Sequence, residues 1–235
     1  MILEIKNLSK SYADNRVLED IHFSFESGKI YGLLGRNGSG KTTFFNCLND
    51  DISKDSGILK LIDEYGENNL LSSDIGYVIS TPVVPEFLTA REFLSFFIDI
   101  NKDKVDSNLT IDDYFEFVQI KDDDKDKLLK EYSHGMKNKM QILINIIANP
   151  KVILLDEPLT SLDIVVQEEM KKLLKKLKKD HIIIFSTHIL ELAMDLCDEI
   201  VILNNKKLEL VEKNHLTTKK YKDKIIETLK DGKND

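Results

Sequence analysis

Lys29-Ile30-Tyr31-Gly32-Leu33-Leu34 is a short apolar run that breaks into Gly35-Arg36-Asn37-Gly38-Ser39-Gly40-Lys41-Thr42-Thr43 and continues as the apolar Phe44-Phe45-Asn46-Cys47-Leu48. Strand, glycine-rich turn and helix follow in that order, and Gly35 to Thr42 carries the spacing G-x-x-x-x-G-K-[ST] of a loop that cradles phosphate. Glycines let backbone N–H groups turn inward without obstruction by a Cβ, and the head of the following helix adds a partial positive charge. Lys41 is expected to hold the β- and γ-phosphates of a nucleotide and Thr42 to ligate Mg²⁺. The nucleotide-binding set is then Gly35, Arg36, Asn37, Gly38, Ser39, Gly40, Lys41, Thr42 and Thr43.

Outward from this loop, Val152-Ile153-Leu154-Leu155 reads as a buried strand that ends in Asp156-Glu157. A carboxylate at the end of a central parallel strand beside a phosphate loop is where an Mg²⁺ ligand is needed, which assigns that role to Asp156. Glu157, one residue on, is placed to hold an attacking water as general base. Upstream, the alternation of Ile2 to Lys6 and of Ile21, Phe23 and Phe25 predicts a small antiparallel sheet, with further strands at Ile58 to Ile62 and Ile75 to Ile79.

From about Pro82 to Asn149 the pattern turns helical. Thr89 with Glu92 spells a capping box before a helix from Ala90, Ile111 to Val118 gives a second helix, and Ser133 precedes a long amphipathic helix stopped at Pro150. The charged run Lys121 to Lys127 reads as a solvated connection or the first turn of a helix. The last third alternates strand and helix (Val152 to Leu155, Ile164 to Lys179, Ile182 to Phe185, Ile189 to Cys197, Ile200 to Leu203), which predicts βαβ units around a parallel sheet. The lysine-rich tail from Lys213 reads as a solvated terminal helix.

Length and composition bound the function. A chain of 235 residues with 42% hydrophobic residues can bury one domain's core without disulfides. Cys47 and Cys197 match no ligand spacing and suit a reducing compartment. No apolar run nears the roughly 18 to 20 residues needed to span a bilayer, and the N-terminus lacks a signal core, so an intracellular protein is expected. A net charge of −8 argues against nucleic acid as a partner, leaving any phosphate to a dedicated site.

With these motifs in place, the chain resembles the nucleotide-binding subunits of ATP-binding cassette (ABC) transporters over about residues 2–210. The loop GRNGSGKTT, the strand and acidic pair VILLDE, the following PLTSLD and the isolated His188 in STH fall in that family's order. The resemblance implies an α/β fold: a P-loop NTPase core with a mainly parallel sheet, an N-terminal antiparallel β-subdomain and an inserted α-helical subdomain. It places one ATPase domain over 1–210 (core and β-subdomain at about 1–80 and 150–210, helical subdomain at about 82–149) and a helical tail over 211–235. It implies that Tyr12 stacks on adenine with Val17 by the ribose, that His188 contacts the γ-phosphate and the Glu157-bound water, and that Asp163 communicates across a dimer.

The family's L-S-G-G-Q segment is spelled Tyr132-Ser133-His134-Gly135-Met136 here, so Ser133 and Gly135 are kept while His134 and Met136 depart. The Ser133 hydroxyl, the Gly135 backbone and the helix head can still bind a γ-phosphate, which in the family belongs to ATP on the opposite subunit. The S-x-G-M-K spelling is similar to the branch that exports drugs and antimicrobial peptides. Where the family usually has a glutamine after the strand IGYVI stands Ser80, able to reach the ion through water. The expected protein is an ATP-hydrolysing subunit with ATP and Mg²⁺, peripheral on the cytoplasmic face of the membrane. Its expected partners are a second ATPase subunit, identical or a paralogue, and a separate transmembrane permease docking a short helix near Ser80 to Phe97, where Phe87, Phe93, Phe96 and Phe97 lie, although these four read as core more readily than as interface. A soluble ATPase of the same family that powers no transport, such as a cofactor-assembly ATPase, stays open as the alternative.

Overall fold

The alternation at the start of the chain folds as a hairpin of β1 (Ile2–Tyr12) and β2 (Asn15–Glu26). Their antiparallel register sets Leu3 against Phe25 and Ile5 against Phe23. Leu3 and Ile5, like Ile21 and Phe25, keep the period of two, while the register shifts between Ile5 and Leu8 and between Leu8 and Lys10 bring in Leu8 and Leu18; all six are buried. β4 (Ser56–Asp63) joins the other side of β1, and β5 (Gly66–Asn69) completes a four-stranded sheet in the order β2-β1-β4-β5. The coordinates are a computed structural model that describes residues 1–105, 108–159, 162–212 and 218–230.

The second sheet has six strands in the order β10-β9-β3-β8-β7-β6. Its centre is β3 (Ile30–Leu34), flanked in parallel by β8 (Ile182–Thr187) and β9 (Glu199–Asn204), with β7 (Val152–Asp156) and β6 (Ile75–Val78) continuing beyond β8. β3, β7 and β8 are buried at every position, which is why they read as unbroken apolar runs rather than as alternations. β10 (Lys207–Val211) turns back antiparallel on β9. The mixed antiparallel and mostly parallel sheets are the α/β architecture expected from the sequence.

One face of the large sheet packs with α1 (Lys41–Leu48) and the antiparallel sheet, through Phe25, Tyr31, Phe44, Phe45, Leu154 and Ile184. The opposite face carries the helices of the middle segment. These are α2 (Ala90–Ile100), α3 (Ile111–Phe117), α4 (Asp122–Lys125) and α5 (His134–Ala148), joined by α6 (Ile164–Leu177). The capping box at α2 forms as expected: Glu92 N donates to Thr89 Oγ1 at 3.1 Å and Thr89 N to Glu92 Oε2 at 2.8 Å. α5 ends at Asn149, whose φ of 48° is left-handed, immediately before Pro150.

Two expectations need correction, and a third divides. The charged run Lys121 to Lys127 does make a short helical turn in α4, but it is not wholly solvated, because Lys125 is buried to 7% exposure with its ammonium on Asp112 at 2.9 Å. The four phenylalanines, read as core more than as interface, divide: Phe93 and Phe97 pack against the core as expected, whereas Phe87 and Phe96 are exposed. The terminal helix is not simply solvated either. In α8 (Thr218–Lys230), Tyr221 and Ile225 are buried against Leu34, Leu190, Ala193, Ile200 and Ile202 beside α7 (Leu190–Leu196). The remainder of the tail reading, at 213–217 and 231–235, lies outside the described residues.

Candidate nucleotide site

The phosphate loop is built by two close approaches that exclude side chains. Gly40, the residue before α1, has φ 102°, and a Cβ there would lie 2.7 Å from Val17 Cγ1. Gly35 abuts the Leu203 carbonyl, which a Cβ would meet at 3.0 Å. Only glycine satisfies both the left-handed backbone and the space at Gly40. α1 has no side-chain cap, so its first N–H groups stay open toward the cavity at the carboxyl edge of the sheet.

That cavity, about 380 Å³, is lined by Val17, Asn37, Gly38, Gly40, Lys41, Thr42, Thr43, Ser80, Asp156 and Glu157. Lys41 is 7% exposed and its Nζ donates to Gly35 O at 2.9 Å, with Glu157 Oε1 at 3.9 Å. Burial pushes its ammonium below the ordinary lysine range, opposed by the carboxylates of Glu157 and Asp156. A lysine short of solvent and facing loop carbonyls is primed to exchange them for phosphate oxygens.

Asp156 accepts on both oxygens: from Thr42 Oγ1 at 2.8 Å and from Ser186 Oγ at 2.5 Å. Glu157 has φ 51°, a left-handed conformation that costs a non-glycine residue of order 1 to 3 kcal/mol and persists only where neighbours enforce it. The enforcing neighbour is Ser186, which receives Glu157 N on its carbonyl at 3.2 Å and on its hydroxyl at 3.0 Å. Ser186 is fully buried in β8, in register with Asp156 of β7. His188 Nδ1 lies 2.9 and 3.0 Å from the two Glu157 oxygens and, since a carboxylate only accepts, is the donor to them. The oxygen-rich pair of Thr42 and Asp156, with the Ser80 hydroxyl on the same cavity wall, is the donor chemistry that a hard divalent cation such as Mg²⁺ takes.

Not every expected residue lines this cavity. Arg36 and Ser39 line a neighbouring cavity of about 400 Å³ with Asn15, Arg16 and residues 203–206. Tyr12 lines neither; its ring is half exposed at the hairpin end, with Lys10 Nζ 5.2 Å from the centroid. Ser133 heads α5 and its Oγ accepts Met136 N at 3.2 Å, leaving Ser133 and His134 exposed. Gly135 is buried, where a Cβ would stand 3.3 Å from Leu162 and Val166. Asp163 caps α6 by accepting Val165 N and Val166 N at 3.0 Å each, ahead of the exposed Ile164 and Val165. Sequence reasoning missed Ser186; its signal is a serine two residues before His188, meaningful only once the register with Asp156 is known.

A family profile described as ABC transporter matches residues 18–160. The chain is 33% identical over 210 residues to the uncharacterized ABC transporter ATP-binding protein YxlF of Bacillus subtilis, covering 88% of this chain and 69% of that protein. It is 32% identical over 226 residues to the bacitracin transport ATP-binding protein BcrA of Bacillus licheniformis, covering 94% of this chain and 73% of that protein. Among solved structures, an ATP-binding subunit of an ABC transporter superposes with a TM-score of 0.77 at 23% identity over 96% of this chain and all of that one, a likeness of fold. CbiO1 of Clostridium perfringens, part of the cbiONQ complex, matches with a TM-score of 0.73 at 26% identity over 88% of this chain and 86% of that one.

Proposed function

The chain belongs to the ATP-binding subunits of ABC transporters, and from that premise we propose that it closes in pairs on ATP and spends hydrolysis on moving a separate membrane subunit. The observation that carries this reading is the concentration of Lys41, Thr42, Asp156 and Glu157 on one cavity, with His188 bonded to Glu157. Triphosphate oxygens take the α1 head and Lys41. Thr42 and Asp156, with Ser80 nearby, would hold Mg²⁺, which would supply neutralisation of the phosphate charge. Tyr12 and Val17 receive the adenosine end.

In the hydrolytic step, Glu157 accepts a proton from a water whose oxygen bonds to the γ-phosphorus while the bond to the β–γ bridging oxygen breaks, giving ADP and phosphate. The Nδ1–H of His188 fixes the Glu157 carboxylate, and Ser186 fixes its backbone. Ser133, Gly135 and Asp163 complete the site of an opposite subunit, where loss of the γ-phosphate releases the pair. The domain is assigned to 1–210, with its helical subdomain over about 82–149 and the terminal helix beyond.

The permease partner is proposed to meet the exposed Phe87 and Phe96, which places the chain at the cytoplasmic face of the membrane; among the described residues no helix is long and apolar enough to cross one. Export is the proposed direction, supported by the S-x-G-M-K spelling and by likeness to proteins named for bacitracin transport. The test is the mass of the Glu157→Gln chain by light scattering with and without ATP. Doubling with ATP, dissolved by turnover in wild type, is expected; a monomer at saturating ATP overturns self-pairing and points to a paralogue.

A further inference from the structure

The last strand pair and the terminal helix meet the phosphate loop from behind. β9 ends at Asn204, whose side-chain amide donates to the Thr228 carbonyl in α8 at 2.8 Å. The preceding residue, Leu203, sets its carbonyl against Gly35, the first residue of the loop, closely enough to exclude a Cβ. The turn that follows, Asn205 and Lys206, is left-handed at both positions (φ 45° and 65°) and returns the Lys206 carbonyl to Glu19 N at 2.9 Å. Glu19 lies two residues after Val17, the side chain that closes over Gly40. α8 also reaches the loop through the core, because Tyr221 and Ile225 are buried in one cluster with Leu34, the residue before Gly35. The Tyr221 hydroxyl, bonded to Val211 O at 3.0 Å, fastens the helix to the end of β10.

A 13-residue helix is marginal by itself in water, so α8 owes its order to these contacts and is the kind of element that opens at low free-energy cost. We infer that Asn204 is a positioning residue through which the docked α8 holds the phosphate loop in its nucleotide-binding geometry. Loosening the helix therefore weakens nucleotide binding, and by reciprocity a bound nucleotide tightens the helix. The inference rests on the nucleotide reading of the cavity.

The test uses the full chain with Asn204→Ala, which removes the clasp, and Ile225→Asp, which puts a carboxylate into a fully buried position of α8 away from the cavity. Hydrogen exchange at 218–230 and at 36–41 is read without nucleotide, and ADP affinity by calorimetry. Faster exchange in both segments, an ADP Kd raised about fivefold or more, and a kcat at saturating ATP within about twofold of wild type are expected. In wild type, ADP should slow exchange at 218–230. Faster exchange in α8 with unchanged ADP affinity and unchanged exchange at 36–41 overturns the inference, as does unaltered protection of α8 in Ile225→Asp. Failure of the wild-type chain to bind ADP would instead remove the nucleotide reading, since the coupling of the two segments is read without ligand.

Discussion

Two helix heads dominate this molecule, and they are finished in opposite ways. α1 begins behind the left-handed Gly40 with no side-chain cap, and the chain surrounds it with its own chemistry: Lys41 on the loop carbonyls, Thr42 on Asp156, and Glu157 within 3.9 Å of Lys41. α5 begins behind a serine cap, with Gly135 packed on Leu162 and Val166 while Ser133 and His134 face outward. The first head meets carboxylates, a buried ammonium and hydroxyls from three separate strands and loops. The second offers a hydroxyl, backbone N–H groups and an imidazole to whatever lies outside the chain. The contrast teaches that one helix head can be enclosed by the chemistry of its own chain while another in the same chain is capped and left facing outward.

The comparison can be broken first at Glu157. Glu157→Gln should lower steady-state ATP hydrolysis by about 10²- to 10⁴-fold while ATP still binds, as a phosphate-release assay and calorimetry would read. Loss of binding along with turnover would make Glu157 part of the binding surface rather than the base. Ser186→Ala comes next. It strips the second hydrogen bond from Asp156 and one of the two that hold the strained Glu157 backbone, so thermal unfolding should show a loss of about 1 to 3 kcal/mol together with slower hydrolysis. Unaltered hydrolysis in a destabilised protein would reduce Ser186 to packing.

Tyr12→Ala sharpens the first head from its far end. If adenine stacks there, ATP affinity falls by about 1 to 3 kcal/mol, on the scale of base–aromatic stacking, with kcat unchanged; unaltered affinity would send the base elsewhere. The smallest effect on the isolated chain is expected at the second head. Ser133→Ala removes a helix cap, typically worth about 0.5 to 2 kcal/mol in denaturant unfolding, and should leave ATP affinity of the monomer untouched. In the Glu157→Gln background it should still weaken ATP-driven pairing. Pairing that survives the change would leave Ser133 only as the cap of α5.

Much of this was legible in contiguous sequence. The strand-loop-helix around Gly35 to Thr42, the apolar strand into Asp156-Glu157, and the Thr89/Glu92 cap each depend on residues a few positions apart, where backbone geometry and local hydrogen bonding decide the outcome. β5 escaped because its sequence, GENN, carries no apolar pattern and is held by backbone pairing to β4, whereas β10, KLELV, alternates over only five residues and is held by pairing to β9. Lys125 escaped because its burial follows from Asp112 and from the ring of Phe115, 5.6 Å away, both brought by α3.

By itself, then, the sequence determined the phosphate loop, the acidic pair, the order of the strands and helices other than β5 and β10, and the capped heads of α2 and α5. All of these rest on short-range steric and hydrogen-bonding rules. Tertiary structure decided that Ser186 stands beside Asp156, that Glu157 is bent into a left-handed conformation under His188, and that the terminal helix lies against Leu34 with Asn204 clasping it. Those placements join residues far apart along the chain, and they follow from strand register and core packing, whose energies no local stretch contains.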